Sequence, residues 1–132
     1  LLSRNSGITA LDAFEADARA LDLARQNLAP HAPRCDIQCH WHDVTTVLPA
    51  DRKFDVIVSN PPFHDTGKAP QPGIGQRFLH VAADALAPGG AFWLVANAHL
   101  PYEALLAERF GEVRVVAAAR GYKVFEARRP RR

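Results

Sequence analysis

Residues 54–59, Phe54-Asp55-Val56-Ile57-Val58-Ser59, run straight into Asn60-Pro61-Pro62-Phe63, and this junction restricts the chain more than any other segment. The run is short and rich in β-branched residues, which favours a strand over a helix. Two prolines then stop it, since neither can donate to a ladder. Its apolar density predicts burial on both faces, as in a parallel sheet. Parallel neighbours cannot be joined by a hairpin, so helical crossovers must alternate with the strands.

That alternation is present on both sides of the junction. Residues 8–14 predict a strand. Residues 16–29 follow with Leu21, Ala24 and Leu28 on one helical stripe against Asp17, Asp22, Arg25 and Gln26, until Pro30 and Pro33 stop the helix. Residues 34–41 give a second strand, and residues 60–75 a long loop rich in Pro and Gly. Helical spacing returns over residues 76–86 through Phe78, Leu79, Ala82, Ala83 and Leu86, and Pro88-Gly89-Gly90 closes it. Residues 91–96 predict a fourth strand, Pro101 opens a short helix reaching Phe110, and residues 112–118 and 122–128 pair as a hairpin around Gly121. The expectation is an α/β, Rossmann-like, doubly wound and mostly parallel sheet with a C-terminal antiparallel hairpin, as one domain over residues 1–132.

With 48% hydrophobic and 23% charged residues, the chain has the balance of a soluble domain with one core. Its longest apolar stretch, residues 91–96, is far below the roughly 20 needed for a membrane span, and no leader pattern is present, so a cytoplasmic protein is expected. Leu1-Leu2-Ser3-Arg4-Asn5-Ser6-Gly7 resembles the last turn of a helix closed by glycine and predicts further sequence upstream. Half of the 16 Lys and Arg lie from Arg109 onward, ending in Arg128-Arg129-Pro130-Arg131-Arg132; this permits an anionic partner, with a solvated tail as the alternative. Cys35 and Cys39, followed by His40 and His42, invite a zinc reading. Period-two alternation instead makes the segment a strand, and four residues of strand span roughly 13 Å, too far for two thiolates on one metal. No metal is expected, and the thiols should be reduced.

In a doubly wound sheet ligands lie beyond the carboxyl ends of the strands. Glu15 follows the first strand and is suited to accept hydrogen bonds from two ribose hydroxyls, or else to sit at the positive end of the next helix; Asp12 competes from inside the strand. Asp43 follows the second strand and either accepts from an adenine amine, with Val44 packing on the ring, or forms a turn. After the third strand, Asn60-Pro61-Pro62-Phe63 presents mainly carbonyl acceptors in a stiff arrangement. An exocyclic amine has two hydrogens to give. If the Asn60 side chain and the Pro61 carbonyl each accept one, the nitrogen lone pair leaves ring conjugation and faces a methyl donor, while Phe63 offers a face for base stacking. His64 is read as a loop-shaping residue rather than a general base, which methylation of an amine does not obviously need.

These residues carry a resemblance. Phe54-Asp55-x-Ile57-x-Ser59-Asn60-Pro61-Pro62-Phe63-His64-Asp65, Gly89-Gly90 before a strand ending Val95-Ala96-Asn97-Ala98-x-Leu100-Pro101-Tyr102, and Tyr122-Lys123-Val124 are similar to the small-subunit rRNA guanine-N2 methyltransferase C family, class I methyltransferases dependent on S-adenosylmethionine. The tetrapeptide is shared with N6-adenine and glutamine-amide methyltransferases; His64-Asp65 and Leu100-Pro101-Tyr102 discriminate. The resemblance implies methyl transfer to the N2 amine of a guanine in ribosomal RNA or the small ribosomal subunit, with S-adenosylhomocysteine as product. It puts Asn60, Pro61, Pro62 and Phe63 at the target base with His64 beside them, and Glu15, Asp43 and Val44 at the cofactor. Asn60 stands in both sets, because the amine it orients must face the methyl donor. The family's first strand and glycine-rich cofactor loop are not among these residues, and Gly73-x-Gly75 is no substitute, since it follows no strand. An upstream segment or a second chain is therefore expected to complete the sheet, and the 132 residues alone to be inactive. A noncatalytic RNA-binding domain of the same fold is the competing expectation.

Overall fold

The computed structural model describes residues 2–48, 52–61 and 73–132, and the chain divides into two units, Leu1–Val44 and Thr45–Arg132. The first unit holds β1 (Ala10–Glu15), α1 (Ala18–Leu28) and β2 (Asp36–Trp41) after a short 3-10 turn at Leu2–Arg4. β1 and β2 pair in parallel, from Ala10 opposite Asp36 to Glu15 opposite Trp41, which is the crossover that the alternation predicts. Asp17 starts α1: its backbone is extended and its Oδ1 accepts from the N–H groups of Arg19 (2.8 Å) and Ala20 (3.2 Å), satisfying donors that the helix itself leaves open. Leu21 is the buried residue of the predicted stripe. Cys39 lies in β2 and Cys35 just before it, both as free thiols.

The second unit runs β3 (Phe54–Ser59), α2 (Gly73–Ala85), β4 (Leu86–Asn97), α3 (Tyr102–Arg109), β5 (Phe110–Ala119) and β6 (Tyr122–Pro130). Its sheet has the order β3-β4-β6-β5, with β3 and β4 parallel and the other two pairs antiparallel. The fold is thus α/β with parallel crossovers and a terminal hairpin, as expected. At the hairpin tip Arg120 and Gly121 both take positive φ (53° and 79°), the backbone a tight turn needs to match the twist of its strands. Phe92, Leu94, Phe125 and Ala127 face one side of the sheet, where Leu79, Ala83 and Leu106 of the two helices and Phe110 close over them. The rings of Phe92 and Phe110 stack at 5.8 Å.

Three expectations need correction. β3 is not buried on both faces: Ile57 packs toward the core, but Val56 and Val58 are 56% and 60% exposed, because α2 and α3 both pack on the other side. α2 begins at Gly73 rather than residue 76, so Gly73-x-Gly75 is its first turn and not loop. β4 begins at Leu86, through Pro88-Gly89-Gly90, rather than at residue 91. Leu86 pairs with Phe54 and Ala91 with Val56, so β4 bulges over residues 87–90 against the single residue Asp55. Gly89 takes the positive φ (79°) of the bulge, and Gly90 lets the chains close, since a Cβ there would lie 2.9 Å from the Ala87 carbonyl oxygen and 3.0 Å from that of Asp55.

Two of the three atoms nearest that Cβ are backbone carbonyl oxygens, which cannot swing aside; the third is the Leu86 Cδ2 methyl at 3.0 Å. Gly90→Ala should therefore lower stability by about 1–3 kcal/mol, the range for overpacking. Gly121→Ala, in open space but at positive φ, should cost only about 1 kcal/mol. Urea midpoints of the two variants check this; equal midpoints would show that the bulge yields freely.

Candidate functional site

The parallel register carries both strands of the first unit to one carboxyl end. Glu15 closes β1 there, half-buried, and its carbonyl accepts from the His42 N–H (3.0 Å) just past β2. The Glu15 side chain also has a local partner: Oε1 accepts from the Asp17 N–H at 2.9 Å. Asp43 is exposed and Val44 half-buried in the segment that follows. The rival acid, Asp12, is inside β1 and engaged by His40, whose Nε2 lies 2.7 Å from Asp12 Oδ1 while its ring stacks on Phe14 at 4.6 Å. Asp12 is thereby part of the strand's packing, and Glu15, one residue beyond the expected strand end, holds the terminal position. Trp41, 73% exposed, donates its Nε1–H to the Ala16 carbonyl (2.8 Å), which braces the β1–α1 turn from the neighbouring strand.

In the second unit Asn60 leaves β3 exposed and Pro61 is buried directly after it. Pro62, Phe63 and His64 lie outside the described residues. Because β3 and β4 are parallel and α2 connects them, the first turn of α2 returns to the same carboxyl edge as Asn60. α3 starts at that edge too, after a turn in which the Asn97 Oδ1 accepts from the His99 N–H (3.1 Å). Tyr102, the first residue of α3, is 2% exposed, and burial pushes its hydroxyl above the usual phenol range. Sequence reasoning used Tyr102 only as a family marker; Gly75 was its missing companion, since a Cβ at that position would overlap the Tyr102 hydroxyl and sit 3.1 Å from its ring.

The basic C-terminus is built into the sheet. Arg128 and Arg129 belong to β6; Arg128 donates to Glu126 (Nε to Oε1, 2.9 Å), Arg129 pairs with Glu112 (3.0 Å), and Arg132 donates to the Leu86 carbonyl (2.9 Å). Glu126 is 4% exposed and also accepts from Arg114 across the hairpin. Burial alone would raise its carboxyl; the hydrogen bonds from Arg128 and Arg114, and their charges, outweigh that and hold it below the usual carboxylate range. A group depressed in the folded state stabilises fully above its unfolded pKa and loses that contribution as pH falls through the folded value. The stability gap between the parent and Glu126→Gln should thus be widest near neutral pH and shrink below about pH 4, the ordinary glutamate range. Urea unfolding from pH 7 to pH 3 tests it; a gap independent of pH would remove the charge from the explanation.

Among the described residues no group of three or more His, Cys, Asp and Glu could hold a metal ion, and no helix is long and apolar enough to cross a membrane. The model of a family described as methyltransferase small domain matches residues 1–126. The ribosomal RNA small subunit methyltransferase C of Chromohalobacter salexigens is 38% identical over 122 residues, covering 92% of this chain and 34% of that protein. The ribosomal RNA large subunit methyltransferase G of Alcanivorax borkumensis is 35% identical over 111 residues, covering 84% of this chain and 28% of that protein. Among solved structures, a 16S rRNA N2 methyltransferase of T. thermophilus in complex with AdoMet and guanosine superposes with a TM-score of 0.75 at 37% identity, over 89% of this chain and 31% of that one. The chain therefore spans between about a fifth and a third of the length of the curated relatives it matches.

Proposed function

The chain belongs to the methyltransferase small domain family, and from that membership we propose that it forms the target-side part of a ribosomal RNA methyltransferase acting on the N2 amine of a guanine. The observation that carries this reading is Asn60-Pro61 at the carboxyl end of β3, with Asn60 exposed and Pro61 buried. Residues 1–132 are read as one methyltransferase domain, which the family match across both units supports. The guanosine bound to the T. thermophilus relative favours guanine over adenine or a glutamine amide.

S-adenosylmethionine, when bound, supplies an electrophilic methyl group. The donor chemistry here fits it: Glu15 commits Oε1 to the Asp17 N–H, and a carboxylate has lone pairs enough to accept from ribose hydroxyls as well. Asp43 and Val44 follow β2, a polar acceptor next to an apolar face, as an adenine edge and ring require. On the target side the Asn60 Oδ1 and the Pro61 carbonyl each accept one hydrogen of the base amine. Pro61 and Pro62 have no N–H to compete for those acceptors, and Phe63 stacks on the base with His64 shaping the loop. The acceptors stabilise the positive charge that grows on nitrogen; the methylated amine then loses a proton to water, and no covalent enzyme intermediate is needed.

Among the described residues β3 is an end strand of its sheet, paired with β4 alone, and this supports a further part of the reading, that an upstream segment or a second chain adds a strand beside it. Titration calorimetry of the 132 residues with S-adenosylmethionine should then show no useful binding; micromolar affinity would mean the sheet needs no such strand.

In the complete protein, Asn60→Ala should lower methyl transfer at least about a hundredfold, as for loss of one preorganised transition-state contact, with cofactor affinity within a few fold. Single-turnover rates at saturating ribosomal RNA measure it. Unchanged rates would end the assignment of Asn60.

A further inference from the structure

The Tyr102 hydroxyl is buried and has no hydrogen-bond partner among the described residues. A phenylalanine would fill the same core space without an orphan hydroxyl, and an unpaired buried hydroxyl is costly enough to need a reason. The neighbour that makes room for it is Gly75, where any side chain would overlap the oxygen. Tyr102 and Gly75 are matched through the hydroxyl, not through the ring alone.

Gly75 lies in the first turn of α2, a helix of 13 residues. The opening amide groups of a helix have no acceptor within it, and their dipoles sum to partial positive charge. Gly73 and Gly75 leave that turn without side chains at two of its positions, so a ligand can approach the backbone closely. Arg77 adds a full charge: its Nε comes within 4.0 Å of where a Cβ on Gly73 would be. Residues 73–76 are half-buried, so the turn is reachable from solvent. Every one of these groups donates hydrogen bonds, from the backbone, from a guanidinium and from a phenol. Planar carboxylates take two such donors side by side; a set that combines main-chain amides, a guanidinium and a phenol suits an oxyanion with more acceptor oxygens, such as phosphate.

We propose that the first turn of α2, with the Arg77 guanidinium beside Gly73 and the Tyr102 hydroxyl against Gly75, is a phosphate-binding subsite. The crossover puts it at the same edge as Asn60, and a target nucleotide carries phosphate with it. The source is then the RNA backbone at the guanine, which rests on the reading of the preceding subsection; free phosphate has the same chemistry.

The experiment uses the complete protein. Equilibrium binding of guanosine is compared with that of guanosine 5′- and 3′-monophosphates, for the parent, Tyr102→Phe and Arg77→Gln. In parallel, amide chemical shifts of Gly73 and Gly75 are followed on titration with inorganic phosphate, with chloride as control. One of the two phosphates should tighten guanosine binding about tenfold, a gain that one charge-assisted contact provides. Tyr102→Phe and Arg77→Gln should reduce that gain to about twofold or less while leaving guanosine itself unaffected, and Tyr102→Phe should fold with an unchanged or higher Tm. A gain of the same size in both variants overturns the proposal. So does the absence of any phosphate gain in the parent together with still Gly73 and Gly75 amides. If guanosine does not bind at all, yet inorganic phosphate shifts those amides in the parent and not in Tyr102→Phe, the subsite stands and the guanine reading falls.

Discussion

The parallel pairing of β3 with β4 is the constraint on which the second unit depends. Antiparallel neighbours could have been joined by a few residues. Parallel ones force the chain to travel the length of the sheet and return, and α2 is that return. The described candidate residues of this unit then fall at one edge: Asn60 where β3 ends, the first turn of α2 where the return begins, and Tyr102 after β4 ends. The tight spot is at the opposite edge, where β4 starts. There the bulge over residues 87–90 holds Gly90 against the Asp55 carbonyl, and the register it sets propagates along the ladder to Ser59 opposite Leu94.

The C-terminal residues act on that same spot. Arg132 donates to the Leu86 carbonyl and Arg128 reaches the Gly89 carbonyl at 3.5 Å, so the last residues of the chain fasten the bulge from outside. Arginine, with five donors and a charge that cannot be titrated away, supplies side-chain donors to a carbonyl within the bulge and to one beside it. The concentration of arginine at the end of the chain therefore has a structural use as well as an electrostatic one. Of this group, Arg128 and Arg129 are also neutralised by Glu126 and Glu112, which weakens the case for the C-terminus as a free phosphate-binding tail.

Much of this was legible in the sequence where one physical signal dominated. β3 begins and ends where its apolar run does, because proline on one side leaves no alternative. The hairpin around Gly121 follows from a turn that only positive φ can make. The misreadings come from residues whose local preference is overridden by tertiary contacts. Gly73 and Gly75 look like loop, yet they open a helix, and Gly75 is required by the Tyr102 hydroxyl from another element. Pro88-Gly89-Gly90 looks like a terminator, yet it is a bulge inside β4. Val56 and Val58 look like core, but burial on the second face needs a covering layer that neither described helix of their unit supplies. Glu15 and Asp43 are candidates from their places at strand ends alone; whether Glu15 serves a helix or a ligand cannot be read from its position, and its bond to the Asp17 N–H shows that one oxygen does the local work.

The two backbone segments at the carboxyl edge of β3 and β4 have opposite hydrogen-bonding character, and both owe it to residues defined by what they lack. Prolines at 61 and 62 remove N–H groups and leave carbonyls, which suits a base amine that can only donate there. Glycines at 73 and 75 remove side chains and uncover N–H groups, which suits an anion that can only accept. A nucleotide presents both chemistries at once, an amine on the base and an oxyanion on the sugar, separated by the length of the nucleoside. On the proposed reading the discrimination is carried largely by main-chain atoms, and such a device needs little side-chain rearrangement to be ready. The two side chains that extend it, Asn60 and Tyr102, are each placed by the end of a secondary-structure element rather than by a loop of their own. An acceptor pole and a donor pole fixed to one rigid edge would orient the nucleotide before any chemistry begins, which is where a reaction without a covalent intermediate must gain its rate.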